Sequence, residues 1–493
     1  MKNFEKERFW SMLLYCCSGI AILLLIYAAI DTSIWVDEAY TMRIIEHSIP
    51  ELIQITAQDV HPPLYYIIVK IMLLFTGVSD VYSGIIVARF ISLLPFGIMW
   101  ILGITYIRKY YGEMAGALFA LCLMIAPQMI VTALEIRMYG WAMLFVLVSF
   151  LMAARLILEE KTDLYVVVVL GTSTLCAFYT HYFAAVSAAV IIFPCFVYVL
   201  FYKRKLRIPF LIMVIADAIL YFPWLVVAFK QIKTVSQGYW IQPITKKVLK
   251  RYFWYTFQMD ESLFGMITGA ILVVVAIICV VVTVRNKGRK DYWMALLGML
   301  VTPLTALVGV AVSLLLRPVF VERYLIPTNA CFWLGFSYLV SGFRKKHVWL
   351  FVSILFLAMG IIQYTDNVSV AKGNRVEMEE IESLFRQMDQ DDLIVHENIS
   401  TELPTAYYCP QSNQYMLLES STLKTDQIFF DNIYNTMEPG DVSQYIDEGK
   451  RVWLFAVSDL SEADSEWKTL MEKSQYIGPY TLDYFGFRIY MWN

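Results

Sequence analysis

Two adjacent carboxylates, followed by a histidine, form the first stretch of this sequence that could do chemistry. Asp37 and Glu38 come directly after an apolar run long enough to cross a bilayer, and Asp59 and His61 follow later in the same polar segment. A carboxylate at a membrane boundary is costly, so its presence there indicates a function. In that position a carboxylate could serve as a general base. A solvated helix end is the alternative interpretation.

His61 is followed by Pro62-Pro63, which restricts its backbone. Proline fixes its own φ angle and biases the preceding residue toward extended conformations. The imidazole is therefore held rigidly, and it could donate to a phosphate, bind a metal ion or mark the start of a helix. Asp37, Asp59 and His61 together could form a divalent-metal site. No other cofactor is indicated by the sequence.

Ionisable residues recur in turns between apolar segments further along the chain. Glu135 and Arg137 lie in one such turn, His181 lies in the next, and Arg323 lies in a later one. Ionisable groups near the hydrocarbon region favour a functional interpretation, although a local ion pair or a structural histidine would give the same pattern. Because these turns fall on one side of the predicted membrane, we expect a shared polar chamber there.

The elements that must position these residues are predicted to be membrane spans. The sequence is 59% hydrophobic and 16% charged, with a mean hydropathy of +0.59, which is typical of an integral membrane protein. Apolar runs near the roughly 20 residues needed to cross a bilayer recur along the chain. We predict about eleven transmembrane helices, at 11–30, 83–107, 113–131, 139–157, 163–180, 183–202, 208–229, 263–284, 292–312, 324–342 and 347–365.

Basic residues assign the two sides of the membrane. One set of connections between predicted spans is rich in Lys and Arg, and it alternates with the set that contains Asp37. The positive-inside rule makes the basic set cytoplasmic. We therefore predict a multi-pass protein of the plasma membrane, with a cytoplasmic N-terminus and with Asp37 and the C-terminal tail on the extracellular side. The basic connections carry Lys2, Lys6 and Arg8; Arg108 and Lys109; Arg155 and Lys161; Lys203, Arg204, Lys205 and Arg207; Arg285, Lys287, Arg289 and Lys290; and Arg344, Lys345 and Lys346.

The predicted outer segments differ in composition. Segment 31–82 has apolar spacing suited to short helices on the membrane surface. Segment 230–262 holds a basic cluster that begins at Lys246 and alternates with aromatic residues, which suits either an anchor helix or a lipid-phosphate site. The tail, 366–493, is polar and acidic, so we predict a membrane domain over 1–365 followed by a small α/β domain. In the tail, β-like runs cover 393–396, 451–455 and 485–490, and helix-like stretches lie near 376–388 and 461–474.

Several functional classes are disfavoured by what the sequence lacks. Of its eight cysteines only Cys409 lies in polar sequence, and there is no CxxC pair, so neither a disulfide framework nor a cysteine metal site is predicted. Neither GxGxxG nor GxxxxGK(S/T) occurs, so no nucleotide or nucleotide-sugar site is indicated. The net charge of −3 gives no reason to expect a nucleic-acid partner.

Short motifs in the predicted outer turns, taken in chain order, resemble those of a known family. They are Trp35-Val36-Asp37-Glu38, His61-Pro62-Pro63-Leu64-Tyr65-Tyr66, Ala88-Arg89-Phe90, Glu135-Ile136-Arg137-Met138-Tyr139, Thr180-His181-Tyr182-Phe183 and Glu322-Arg323-Tyr324-Leu325. Over roughly 10–345 the sequence is similar to the bacterial branch of the protein mannosyltransferase and lipid A aminoarabinose transferase group. These are membrane glycosyltransferases of the GT-C type.

The resemblance implies both a fold and a reaction. The fold is a GT-C bundle of transmembrane helices, to which relatives append an extracytoplasmic domain. The reaction transfers a hexosyl or pentosyl group from a polyprenyl monophosphate to a hydroxyl acceptor in the cell envelope, with inversion. Carried over by motif, Asp37 would be the base that deprotonates or orients the acceptor. Glu38 and Glu135 would hold hydroxyls of the acceptor or the sugar.

The resemblance also suggests ligands for the donor phosphate. Aminoarabinose transferases carry Lys-Pro-Pro where this chain has His61-Pro62-Pro63, so this sequence departs from the family at that phosphate contact. Arg137 and Arg323 are alternative clamps for the charge that a departing phosphate develops. The predicted binding set is completed by Tyr66, Tyr139, His181 and Lys246.

Two rival functions are compatible with a polytopic protein of this kind. A transporter or flippase would need charged or broken helices near the middle of the membrane, and usually an internal repeat. Asp217 is the main charge within the predicted spans, and no repeat is found. A sensor or scaffold without catalytic activity is the other rival, and it would make Asp37 and Glu135 dispensable.

Overall fold

Helices make up most of the chain in the computed structural model. The structure describes residues 2–30, 33–235, 241, 243–286, 288–316, 318–343, 346–417, 435–458, 463, 465–482 and 485–492. Three basic residues of the predicted topology lie outside the described residues: Lys287, Arg344 and Lys345. Parts of the predicted segments 230–262 and 461–474 also lie outside them.

The chain divides into two units. The membrane unit contains Met1–Ile26, Val60–Tyr65 and Phe90–Thr365. The mixed unit contains Tyr27–Asp59, Tyr66–Arg89 and Asp366–Asn493. Most of the first predicted outer segment therefore groups with the tail, whereas the sequence had placed that segment with the spans.

In the described part of the chain, seventeen α-helices precede the first strand, and several start at side-chain caps. Ser262, for example, accepts a hydrogen bond from the backbone N–H of Gly265 at 2.9 Å and so begins a long apolar helix. The helices are α1 (Lys2–Ile30), α2 (Val36–Glu46), α3 (Ile49–Gln58), α4 (Leu64–Thr76), α5 (Val81–Leu102), α6 (Arg108–Tyr111), α7 (Glu113–Ile125), α8 (Pro127–Leu134), α9 (Tyr139–Leu158), α10 (Leu164–Thr180), α11 (Tyr182–Tyr202), α12 (Arg207–Val235), α13 (Lys246–Thr256), α14 (Leu263–Arg285), α15 (Lys290–Leu315), α16 (Asn329–Ser341) and α17 (Lys346–Phe385).

The structure confirms a polytopic helical membrane protein, and it refines the predicted spans. Among the described residues, eight helices are long and apolar enough to cross a membrane, and the bent pair α7 and α8 makes up to nine. The pair bends by 61° at Pro127, because proline cannot continue the hydrogen bonding of α7. The predicted span 163–180 is the 17-residue α10. The predicted span 324–342 begins as a 3-10 turn, Glu322–Thr328, and continues as the 13-residue α16.

Small residues let α15 and α16 approach closely. A Cβ atom added to Gly298 of α15 would lie 2.7 Å from the carbonyl oxygen of Cys331. A Cβ atom on Gly335 of α16 would collide with the carbonyl oxygen of Ala295. Because apolar surface gains little by leaving lipid, close backbone packing of this kind is what associates membrane helices.

The mixed unit contains a six-stranded sheet with the order β3-β2-β1-β4-β6-β5. The pairs β3–β2, β2–β1 and β1–β4 are parallel, and β6 is antiparallel to both β4 and β5. Every residue of β1 and β4 is buried, as expected for parallel strands that are covered on both faces. The elements are β1 (Leu393–His396), α18 (Ile399–Tyr408), β2 (Asn413–Leu417), β3 (Thr436–Met437), α19 (Pro439–Asp447), β4 (Val452–Ala456), α20 (Ser465–Glu472), β5 (Gln475–Leu482) and β6 (Phe485–Trp492).

The predicted C-terminal α/β region is confirmed by this sheet. The β-like runs at 393–396, 451–455 and 485–490 correspond to β1, β4 and β6. The helix predicted near 376–388 is instead the end of α17, which continues without interruption from Lys346. The sequence has no proline between 346 and 385, so nothing in the backbone ends the helix where the composition turns polar.

A buried polar cluster lies at the end of β1. His396 is fully buried, with Nδ1 3.1 Å from the Thr401 hydroxyl and Nε2 3.1 Å from the side-chain oxygen of Gln414. Burial lowers the pKa of His396 to about 3, and the hydrogen bond to Gln414 opposes this shift. The imidazole is therefore neutral in the folded state, and it donates to Gln414 through Nε2–H.

Acidification should destabilise the mixed unit through His396. Because its pKa is lower in the folded state than the ~6.5 of a free histidine, its stabilising contribution is complete above about pH 6.5 and is lost as the pH falls toward 3. We expect hydrogen–deuterium exchange in β1 and β4, corrected for intrinsic rates, to increase between pH 6.5 and 4. His396→Gln should reduce that increase, whereas His47→Gln, at a half-buried site, should not. An equal increase in both variants would contradict this assignment.

Candidate functional site

A tight turn between α8 and α9 holds three of the predicted site residues. Glu135 ends α8 in an extended conformation, and the backbone N–H of Arg137 donates to the carbonyl oxygen of Glu135 at 2.9 Å. Arg137 is 4% exposed and Tyr139 is 1% exposed, whereas Glu135 is half-buried. The turn therefore places a guanidinium and a phenol in the protein interior, with a carboxylate beside them.

His181 lies between α10 and α11 and is 3% exposed. Its Nδ1 accepts a hydrogen bond from the backbone N–H of Phe183 at 3.1 Å, so the ring caps α11. The ring centroid lies 5.0 Å from Tyr324, 5.5 Å from Tyr139 and 6.2 Å from His61. The structure thus brings together residues that are far apart in the sequence.

The pKa of His181 responds to burial and to three charged or titratable neighbours. Burial is the main reason that the pKa of His181 falls well below its usual range, and His61, Arg137 and Arg323 lower it further. The imidazole is therefore neutral, and because Nδ1 is an acceptor, Nε2 carries the proton. Burial also raises the pKa of Tyr255 on α13, and the carboxylates of Glu135 and Glu322 add to that shift. These residues form one polar cluster within the membrane unit.

The polar cluster adjoins a cavity of about 760 Å³ in the membrane unit. His61, His181, Tyr182 and Gln231 contribute polar groups to its lining. Tyr182 donates a hydrogen bond to Gln231 and accepts one from the indole N–H of Trp224 at 3.2 Å. The remaining lining is mostly aliphatic and aromatic and comes chiefly from α11, α12 and α15.

The cavity extends along the helix axes, away from the polar cluster. On α11 its lining extends from Tyr182 to Ala189, and on α12 from Gln231 back to Tyr221. At 1.5 Å per residue these stretches correspond to roughly 10 to 15 Å. A cavity that is polar at one end and apolar over this length suits an amphiphilic ligand with an anionic or hydroxylated head.

Lys246 lies apart from the cavity lining. It is exposed at the start of α13, which Thr245 caps by accepting from the backbone N–H of Val248 at 3.3 Å. The helix packs against the membrane unit through Tyr252, whose hydroxyl donates to the carbonyl oxygen of Phe320 at 2.5 Å. Among the described residues that line the cavity, Lys246 is not included.

Glu38 forms a buried ion pair in the mixed unit. Its carboxylate accepts from the guanidinium of Arg89 at 3.0 Å, and both side chains are 3% exposed. The same carboxylate accepts from the backbone N–H of Trp35 at 3.3 Å, while Arg89 also donates to the carbonyl oxygen of Ser33 at 2.6 Å. The sequence motif included Arg89 but gave it no role, because no local pattern reveals a partner 51 residues away.

Asp37 lies beside this ion pair in the first turn of α2 and is half-buried. Asp59 ends α3 and is also half-buried, whereas Tyr66 is fully buried. Asp37 is therefore more accessible than Glu38 to a ligand that reaches α2. Among the described residues, no group of three or more His, Cys, Asp or Glu side chains is arranged to hold a metal ion. The divalent-metal site suggested for Asp37, Asp59 and His61 therefore has no support from the geometry and stays a prediction.

Comparison with known proteins identifies the fold. No protein-family model and no curated protein matches the chain. The solved structure of ArnT from Cupriavidus metallidurans in the apo state matches with a TM-score of 0.61 at 10% identity, covering 98% of this chain and 97% of that one. The chain has the GT-C fold of ArnT. The structure of ArnT bound to undecaprenyl phosphate matches with a TM-score of 0.57 at 12% identity and 98% coverage of both chains.

The match to ArnT covers the described part of the tail as well as the transmembrane helices. Because 98% of this chain is covered, the similarity extends beyond residues 10–345, where the motifs had suggested it. ArnT is a lipid A aminoarabinose transferase of the GT-C type, which is the group that the motifs resemble. The resemblance inferred from the sequence is therefore confirmed at the level of the fold.

The capping role of His181 can be separated from its role in the cavity. His181→Ala removes the acceptor for the N–H of Phe183 and should lower the free energy of unfolding by about 1 kcal/mol. His181→Asn restores a capping oxygen without an imidazole, so it should melt closer to the wild type. Thermal unfolding of both variants in detergent checks this. Equal destabilisation by Ala and Asn would contradict the cap.

Proposed function

We propose that the protein is a membrane glycosyltransferase that uses a polyprenyl monophosphate sugar as its donor. It transfers a hexosyl or pentosyl group to a hydroxyl of an acceptor in the cell envelope, with inversion at the anomeric carbon. The N-terminus is cytoplasmic and the C-terminal α/β region lies outside the cell. The ArnT fold, the motifs and the Lys/Arg-rich connections support this proposal.

The observation that carries the proposal is the cavity beside the polar cluster. A polyprenyl phosphate sugar has an apolar chain, an anionic phosphate and a hydroxylated head, and the cavity offers matching surfaces in that order. The apolar lining on α11, α12 and α15 would hold the first part of the chain. His61 and His181 line the end where the phosphate would lie.

Cationic and donor groups near His181 suit the leaving phosphate. Arg137 and Arg323 both lower the pKa of His181, so their charges lie near the end of the cavity that His181 lines. A buried guanidinium stabilises developing phosphate charge more strongly than an exposed one, because the local dielectric is low. Neutral His181 can donate through Nε2–H without adding charge. His61, Tyr139 and Lys246 complete the proposed binding set.

The proposed reaction is a single displacement at the anomeric carbon. Asp37 accepts the proton of the acceptor hydroxyl while the acceptor oxygen attacks the carbon from the face opposite the phosphate. A new carbon–oxygen bond forms, the bond to the phosphate oxygen breaks, and its electron pair leaves with the polyprenyl phosphate. Glu135 and Tyr66 are proposed to orient hydroxyl groups. Glu38 is proposed to serve through its ion pair with Arg89, which fixes α2.

Asp37→Asn should lower turnover by at least about 100-fold, because loss of a general base typically costs 10²–10⁴ in rate. The assay follows release of undecaprenyl phosphate from a panel of its glucose, mannose, galactose and 4-amino-4-deoxyarabinose esters, with cell-envelope extract as the acceptor source. The matched control is Asp391→Asn, an exposed aspartate of the mixed unit, which should retain turnover.

Near-wild-type turnover in Asp37→Asn would contradict the assignment of the base. Solute flux into sealed vesicles without covalent product would favour the transporter instead. Binding of radiolabelled undecaprenyl phosphate should change by less than about twofold in Asp37→Asn, because the base acts on the acceptor rather than the lipid.

Filling the cavity should weaken lipid binding. Ala189→Trp on α11 places an indole in the apolar part of the cavity. We expect the affinity for radiolabelled undecaprenyl phosphate to fall about tenfold, equivalent to losing roughly two buried methylene groups. Ile219→Trp, at a 66% exposed position of α12 outside the lining, is the control. Unchanged affinity in Ala189→Trp would place the lipid elsewhere.

A further inference from the structure

The acidic helix α2 packs along α18 of the C-terminal α/β region, within the mixed unit. The two helices run in opposite directions. The segment before α2 contacts Tyr408, the last residue of α18. Burial raises the pKa of Glu402, in the first turn of α18, to about 8, and the charge of Arg43 near the end of α2 opposes that rise. A helix that carries Asp37 is thus contacted near both ends by a helix from the other end of the chain.

The contact at the start of α2 is a buried hydrogen bond. The backbone N–H of Ile34 donates to the hydroxyl of Tyr408 at 3.1 Å. Ile34 is fully buried and Tyr408 is 8% exposed, so water cannot replace the hydroxyl as acceptor. A buried backbone N–H without a partner is strongly unfavourable, so this bond constrains the chain just before α2.

Each of residues 33–35 makes a backbone hydrogen bond that holds the chain in place before α2. The carbonyl oxygen of Ser33 accepts from Arg89, the N–H of Ile34 donates to Tyr408, and the N–H of Trp35 donates to Glu38. Of these three contacts, only the one to Tyr408 comes from outside the first 100 residues. Asp37 follows two residues later on a helix that cannot shift without breaking one of them.

The contact between α18 and α5 reinforces the same geometry. The ring of Tyr408 lies 5.5 Å from that of Tyr82, and a Cβ atom on Gly84 would lie 3.4 Å from the hydroxyl of Tyr407. Tyr82 and Gly84 begin α5, the helix that carries Arg89. The end of α18 therefore packs against both helices that form the buried ion pair of Glu38.

We propose that the C-terminal α/β region positions the acidic helix, with Tyr408 as the positioning residue. The inference rests on the proposed function, in which Asp37 is the base. Tyr408 contacts backbone rather than reacting atoms, so it acts through the placement of Asp37. The α/β region is then a structural part of the catalytic site in addition to any role it has in binding an acceptor.

Tyr408→Phe tests the proposal by removing one oxygen atom. The maximal rate of undecaprenyl phosphate release should fall about tenfold, because a displaced base loses transition-state stabilisation. The donor concentration at half-maximal rate and the affinity for radiolabelled undecaprenyl phosphate should stay within about twofold of the wild type. Tyr445→Phe, on α19 of the same unit, is the matched control and should retain full activity.

Local hydrogen–deuterium exchange distinguishes positioning from general destabilisation. In Tyr408→Phe, exchange should increase in the peptide covering 33–46 and stay unchanged in β4 and β6. A wild-type maximal rate, or a reduced rate without faster exchange at 33–46, would overturn the proposal. If Asp37→Asn is inactive while Tyr408→Phe is fully active, this inference alone fails. If Asp37→Asn is active, the proposed function itself fails.

A second variant covers the case in which Tyr408→Phe does not fold. Tyr82 is 37% exposed, so Tyr82→Leu should fold, and it removes the ring that lies 5.5 Å from the ring of Tyr408. We expect a smaller loss, about threefold, in the maximal rate with unchanged donor affinity. An unchanged rate in Tyr82→Leu would then overturn the proposal.

Discussion

The buried ion pair between Glu38 and Arg89 is the interaction on which the acidic helix depends. Taking two charges out of water costs several kcal/mol for each ion, so neither would be tolerated there alone. The pair is tolerated because both ions make further hydrogen bonds, to the carbonyl oxygen of Ser33 and the N–H of Trp35. Since neighbouring residues on a helix point about 100° apart, the helix that buries Glu38 leaves Asp37 accessible. The two adjacent carboxylates therefore have different environments.

In the membrane unit, burial sets the charge of the polar cluster. His181 is neutral because burial and the nearby guanidiniums of Arg137 and Arg323 disfavour a third cation. The positive charge near His181 therefore comes from Arg137 and Arg323, whose protonation does not change near neutral pH. A donor that brings a phosphate would find permanent positive charge there. The apolar lining beyond it has no comparable electrostatic preference, which suits a chain of repeated hydrocarbon units.

The predicted spans differ from the structure where backbone chemistry overrides hydropathy. Pro127 bends one predicted span into α7 and α8, and Pro327 lies in the 3-10 turn that shortens another into α16. Conversely, α17 continues far beyond the apolar window that defined the last span, because no proline interrupts it. Hydropathy measures whether a segment can enter lipid, whereas helix continuity depends on backbone hydrogen bonds.

Short continuous windows of sequence were enough to predict the membrane class, the approximate spans, the α/β tail and which turns carry ionisable groups, because each of these is a local property. Which of those groups meet depends on how distant helices pack. Arg89 pairs with Glu38 across 51 residues, and Tyr408 accepts from Ile34 across 374. Such partners depend on which faces of distant helices pack together. That choice is made by the summed packing of the whole chain, so no local pattern encodes it.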